Sequence, residues 1–144
     1  MGQVLGIDVG MRTLGLAVSD DAQRVAMPLT VIRRAGLTRD LTALRTIVEE
    51  RGITEAVVGL PLNLDGSPGA MSAEADRIVA ALERMGLTVH REDERLTTVD
   101  AERMLIEADL SRRRRRQVVD KIAATYILQD WLDRAGARGG GGGA

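Results

Sequence analysis

Residues 4–20 read Val-Leu-Gly-Ile-Asp-Val-Gly-Met-Arg-Thr-Leu-Gly-Leu-Ala-Val-Ser-Asp. Val4 to Val9 is a short apolar run, β-branched at Val4, Ile7 and Val9, and one carboxylate, Asp8, interrupts it. Gly10 follows, then Met11, Arg12 and Thr13, then a second apolar run from Leu14 to Val18. Two short runs joined by a glycine-containing link of a few residues predict an antiparallel hairpin. A charge inside a buried strand is unfavourable unless something pairs with it. Asp8 is therefore expected to have a partner. A metal ion and the backbone donors of the turn are the two candidates.

Working outward, the stretch from Val25 to Ile32 suits a third strand, with Pro28 at a bulge or on a sheet edge. Leu41, Leu44, Ile47 and Val48 fall at helical spacing, which predicts a helix from Thr38 or Arg39 to Arg51, closed by Gly52. Residues 56–60, Ala-Val-Val-Gly-Leu, form a continuous apolar run of the kind found in a central parallel strand, ended by Pro61. Residues 63–69 carry Asp, Gly, Ser and Pro and read as a loop. A helix over 73–85 follows, with Ile78, Val79, Leu82 and Met85 on one face and Gly86 as its stop. A fifth strand over 87–91 leads into Glu92-Asp93-Glu94-Arg95. Thr97 or Thr98 can cap a short helix through Ile106. The last helix is expected from near Gln117 to about Ala135, and residues 138–144, mostly glycine, are expected to be a disordered tail. The order β-β-β-α-β-α-β-(α)-α predicts an α/β fold. Its mixed five-stranded sheet has helices on both faces, because right-handed crossovers make the two later strands parallel to the first.

Composition narrows the function. At 144 residues, one domain with a real core is expected. The chain has no cysteine, which excludes disulfides, zinc thiolate sites and thiol catalysis. A lone histidine, His90, argues against a His-rich metal site or a Ser-His-Asp triad. No apolar run is long enough to span a bilayer and no signal peptide is visible, so a cytoplasmic protein with no membrane association is expected. The formal charge is −1, but the positive charge is nearly all arginine, with Lys121 the single lysine, and it is clustered. Tyr126 and Trp131 are the only Tyr or Trp and there is no Phe. That argues against stacking of splayed bases and for a grip on the phosphate backbone.

In sheets of this kind, sites form where the carboxyl ends of central strands meet. Asp8 lies near the end of the first strand and Glu94 near the end of the fifth. Asp120 belongs to the first turns of the last helix, with Ala123, Ala124 and Ile127 at helical spacing from it. Small residues there would let the helix approach the sheet closely. Converging carboxylates suit Mg²⁺ or Mn²⁺, and without a cation they would repel. Two such ions roughly 3.5–4 Å apart can activate water and stabilise the leaving oxygen in phosphodiester hydrolysis. Taken singly, Asp120 is also explained as a charge favoured near a helix start, and Glu94 as a surface partner of Arg95.

The first run, Gly6-Ile7-Asp8-Val9-Gly10 with Arg12, Gly15, Ala17, Ser19 and Asp20, resembles the opening motif of the YqgF/RuvX family. So do Val58-Gly59-Leu60-Pro61 with Asp65-Gly66, then residues 93–98, Asp-Glu-Arg-Leu-Thr-Thr, and residues 120–124 with Ile127-Leu128-Gln129. The motifs come in family order and cover nearly all of the chain before the glycine tail. The resemblance implies an RNase H-like nuclease domain over residues 1–137, related to Holliday-junction resolvases. It also implies a metal-dependent nuclease of 5′-end maturation of pre-16S ribosomal RNA. The family's acidic triad carries onto Asp8, Glu94 and Asp120. Asp93 and Glu94 face opposite ways on a strand, so either is a candidate for the middle ligand.

Arg112, Arg113, Arg114, Arg115 and Arg116 stand just upstream of Asp120 and are expected to bind phosphates, with Lys121 contributing. Arg12 and Arg95 adjoin proposed ligands and can hold a scissile phosphate by charge-assisted contacts. The expected partner is precursor rRNA. A branched-DNA resolvase with the same chemistry, which would need a homodimer, is an alternative. So is a non-catalytic RNA-binding assembly factor. A sugar-kinase or actin-like ATPase shares the Gly-x-Asp-x-Gly opening, but the chain is too short for its two domains.

Overall fold

The computed structural model describes residues 2–60, 71–93 and 112–139, with side chains at all of these but 60, 93, 112–121 and 137–139. The expected loop over 63–69 and helix ending at Ile106 lie outside the described residues, as do Pro61, Glu94 and Arg95.

Strands β1 (Val4–Val9) and β2 (Thr13–Ser19) form the expected hairpin, with Asp8 opposite Gly15 and Val9 opposite Leu14. Its turn closes with the Gly10 amide donating to the Thr13 carbonyl at 2.9 Å. Strand β3 (Ala26–Arg33) pairs antiparallel to β2, and its register shifts between the partners of Leu16 and Ala17, Thr30 and Pro28. Pro28 therefore sits beside a bulge and on an edge strand, both of which tolerate its missing N–H. Helix α1 (Leu37–Arg51) leads to β4 (Glu55–Leu60), parallel to β1, and α2 (Ser72–Arg84) to β5 (Thr88–Asp93), parallel to β4. The sheet order is β3-β2-β1-β4-β5.

The two crossover helices stop in the same way. Gly52 (φ 63°) and Gly86 (φ 97°) take the left-handed conformation that a side chain disfavours. The next amide then reaches back into the helix, Ile53 to the Val48 carbonyl at 3.0 Å and Leu87 to the Leu82 carbonyl at 3.1 Å. Each reversal drops an apolar residue into the core one or two positions before its strand begins.

The faces of the sheet differ. Leu5, Ile7, Val9, Leu14, Leu16, Val18 and Val58 face Leu44, Val48, Ile78 and Leu82 of α1 and α2. Val4, Ala17 and Val57 face Ala123, Ala124, Ile127, Leu128 and Leu132 of the last helix, α3 (Arg112–Gly139). This helix starts at Arg112 rather than near Gln117 and runs to Gly139 rather than to about Ala135. Arginine is a good helix former, so a run without hydrophobic periodicity still extends the helix. Residues 140–144 of the expected tail lie outside the described residues.

Ala123 and Ala124 are buried, as the close-approach argument requires. Gly6 supplies the other half. A Cβ there would stand 2.8 Å from the Leu128 Cβ and 3.1 Å from the Ala124 carbonyl oxygen. Gly6→Ala should therefore push α3 from the sheet and destabilise the fold by about 1–3 kcal/mol through overpacking, read by urea denaturation.

Candidate functional site

Gly6 lies under α3, and side chains two residues apart on a strand share a face. Asp8 thus faces the α3 side, at the carboxyl end of β1, and only 7% of it is exposed. Its neighbours across the sheet are glycines. Gly15 is its partner on β2, and Gly59 follows Val58, which pairs with Ile7. Beyond Gly59, in register, comes Glu92 of β5. The Asp8 carboxylate supplies hard oxygen donors of the kind that Mg²⁺ or Mn²⁺ takes. Asp8 also has a contact within the protein.

Glu92 was not singled out in the sequence, because nothing in the acidic string 92–94 tells which member turns inward. Its carboxylate is buried and paired with Arg134 of α3. Next to it on the same face, His90 accepts or donates at 2.6 Å to Glu55, and its ring lies 4.6 Å from that of Trp131. Arg91, between them, faces the other way and pairs with Asp76 of α2 at 2.9 Å. Tyr126 and Trp131 are partly buried against the α3 side of the core.

Of the expected triad, the structure places Asp8 and the backbone of Asp120, one helical turn before Ala124. Glu94 and the Asp120 side chain lie outside what is described, and among the described residues no three acids or histidines form a metal-holding group. Arg12 is exposed in the hairpin turn. Arg95 lies outside the described residues. Residues 112–116 and Lys121 are helical in backbone.

Several other motif residues hold the frame. The Ser19 hydroxyl accepts from the Val4 amide at 2.8 Å, and the Asp20 carboxylate accepts from the Arg24 and Val25 amides at 2.8 and 3.0 Å. Those amide bonds lower the Asp20 pKa. Gln129 ties α3 to β3, accepting from the Ala26 amide and donating to the Arg24 carbonyl at 2.8 and 2.9 Å. A second buried network also escaped the sequence. The Arg34 guanidinium contacts Asp40, Glu74 and the Gly10 carbonyl. Burial disfavours its charge, but the bonds to Asp40 and Glu74 outweigh this and raise its pKa.

This mixed five-stranded sheet, with a long helix laid over one face, is the RNase H-like fold shared by solved RuvC-like proteins. Thermus thermophilus RuvC, solved in complex with a Holliday junction substrate, superposes with a TM-score of 0.61 at 15% identity, covering 97% of each chain. Fowlpox virus resolvase, solved with Holliday junction DNA, gives 0.55 at 9% identity over 92% of this chain and 98% of that one. The family model described as RuvX, Holliday junction resolvase, matches residues 2–134, and the chain belongs to that family. A Moorella thermoacetica protein is 55% identical over 95% of this chain and 99% of its own length. A Myxococcus xanthus protein is 50% identical over 91% and 87%. Both carry the provisional name pre-16S rRNA nuclease.

One electrostatic consequence lies on α3. Burial, then the charge of Glu92, raises the Asp130 pKa above its ordinary 3.8. The folded chain thus holds this proton more readily than the unfolded one. Folding is favoured below the ordinary value, and that advantage is lost as pH rises through the raised one. Asp130→Asn should raise the melting temperature at pH 7 and leave it unchanged at pH 3.

Proposed function

We propose that this chain is a divalent-metal-dependent endonuclease that hydrolyses phosphodiester bonds of structured RNA. Its substrate is pre-16S rRNA, matured at the 5′ end in the cytoplasm. The observation that carries the reading is Asp8, buried at the carboxyl end of β1, beside Gly15 and Gly59 on the α3 face. The names of the relatives support the substrate, and the family supports the chemistry.

Asp8, Glu94 and Asp120 are the proposed ligands of two Mg²⁺ or Mn²⁺ ions. The resemblance of residues 93–98 to the family motif supports Glu94 over Asp93. The i, i+4 spacing of Asp120 and Ala124 supports the third ligand. When bound, the ions supply Lewis acidity for attack of water on phosphorus. The protein's own groups bind and orient. Arg12 and Arg95 hold the scissile phosphate, and Lys121 and residues 112–116 bind the flanking backbone.

Asp8→Asn should abolish cleavage with the fold intact, because Asn keeps the shape and loses the anion. Glu94→Gln should do the same, and Asp93→Asn should leave the rate near wild type. The assay compares precursor rRNA with a four-way DNA junction, using metal-stripped and metal-restored protein. Cleavage of rRNA alone supports the reading. Cleavage of the junction alone would make the chain a branched-DNA resolvase instead. No metal-dependent cleavage of either would make it a binding factor.

Residues 112–116 put five guanidinium-bearing positions on one stretch of helical backbone. Replacing them with Gln should weaken binding to all sequences. It should flatten the salt slope by up to roughly 4.5, the value for five phosphate contacts. Titration at several ionic strengths reads both.

A further inference from the structure

The turn between β1 and β2 carries Arg12 and follows Asp8 by two residues, so its geometry governs both. It is braced from beneath by one side chain. Arg34 follows β3, and its side chain is 11% exposed. Its Nε donates to Asp40 Oδ2 at 3.0 Å, Nη1 to the Gly10 carbonyl at 3.1 Å, and Nη2 to Glu74 Oε2 at 3.1 Å. Its own amide donates to the Arg12 carbonyl at 2.9 Å. The carbonyls on both sides of Met11 are thus fixed by one residue, while the Met11 and Arg12 side chains stay exposed.

The other arms fix the brace itself. Asp40, in the first turn of α1, is buried, and its second oxygen accepts the Ala35 amide at 2.9 Å. Glu74 lies in the first turn of α2 and also pairs with Arg77 at 3.3 Å. Anchoring α1 needs only Asp40 and the Ala35 amide. The arm to Gly10 adds nothing to that task and reaches the turn that follows Asp8.

We infer that Arg34 is a positioning residue for the nuclease site, setting the direction of Asp8 and Arg12 by locking the Gly10–Arg12 turn onto α1 and α2. This inference rests on the proposed nuclease reading. Lysine at position 34 would keep the charge, but a single ammonium cannot reproduce the planar fork to three acceptors.

The test measures single-turnover cleavage of precursor rRNA by Arg34→Lys with Mg²⁺ or Mn²⁺. Thermal melting and amide exchange at Gly10 are followed alongside. A turn released by about 1 Å should lower kcat on the order of 10²-fold, with the loss in kcat rather than KM. Exchange at Gly10 should quicken while that of the α1 core amides does not. Ser19→Ala is the control for stability alone. It removes the bond to Val4 at the far end of the hairpin, and should lower melting without changing the rate per folded molecule. If Arg34→Lys does not fold, Glu74→Gln, at a half-buried site, frees one arm and should lower kcat about tenfold. An unchanged kcat in the folded variant, or an equal loss in Ser19→Ala, overturns the inference. Wild-type protein that cleaves nothing sinks the nuclease reading itself, whereas active wild type with unaffected variants sinks the role of Arg34 alone.

Discussion

The contact between Gly6 of β1 and the turn of α3 at Ala124 and Leu128 is the constraint on which the site depends. Backbone meets side chain at a distance that no Cβ on Gly6 would leave free. A helix that close cannot slide or rotate without losing its fit to Val4, Ala17 and Val57. Its register against β1 is therefore fixed. That register sets which residues of α3 lie one turn from the strand end that carries Asp8. Gln129, bonded to both Ala26 and Arg24, pins the same helix at the sheet edge.

The two faces divide the work. Large aliphatic side chains fill the face toward α1 and α2, and they supply most of the apolar burial. The face toward α3 holds a smaller apolar patch, and the rest is given to Asp8, Glu55, His90 and Glu92. Each of these has a partner in the protein, as buried or half-buried polar groups must. A face built this way stabilises less than its counterpart. It can carry charge because the other face holds the fold.

Local patterns were legible in the sequence, and long-range pairings were not. The hairpin followed from apolar runs and the crossover helices from their period, and Gly52 and Gly86 ended the helices as glycines do. Asp8 stood out because a charge broke an apolar run. The start of α3 was missed because arginines carry no hydrophobic period, although they extend a helix readily. Glu92 was missed because its partner, Arg134, is 42 residues away. The Arg34 network was missed for the same reason. Glu74 is 40 residues from Arg34, and an arginine in a chain rich in arginine gives no sign of being buried.

Glycine in a strand interior weakens the strand, so its placement on one face of a central sheet calls for a reason. Gly6 has one in the approach of α3. Gly15 and Gly59 flank Asp8 one step further along the same face. A Val or Ile at either position would improve strand propensity and would stand beside the carboxylate on the α3 face. The chain accepts these two weak strand positions on either side of one buried acid. Strand propensity alone would favour a β-branched residue at both, so the pair of glycines beside Asp8 supports the metal site proposed there.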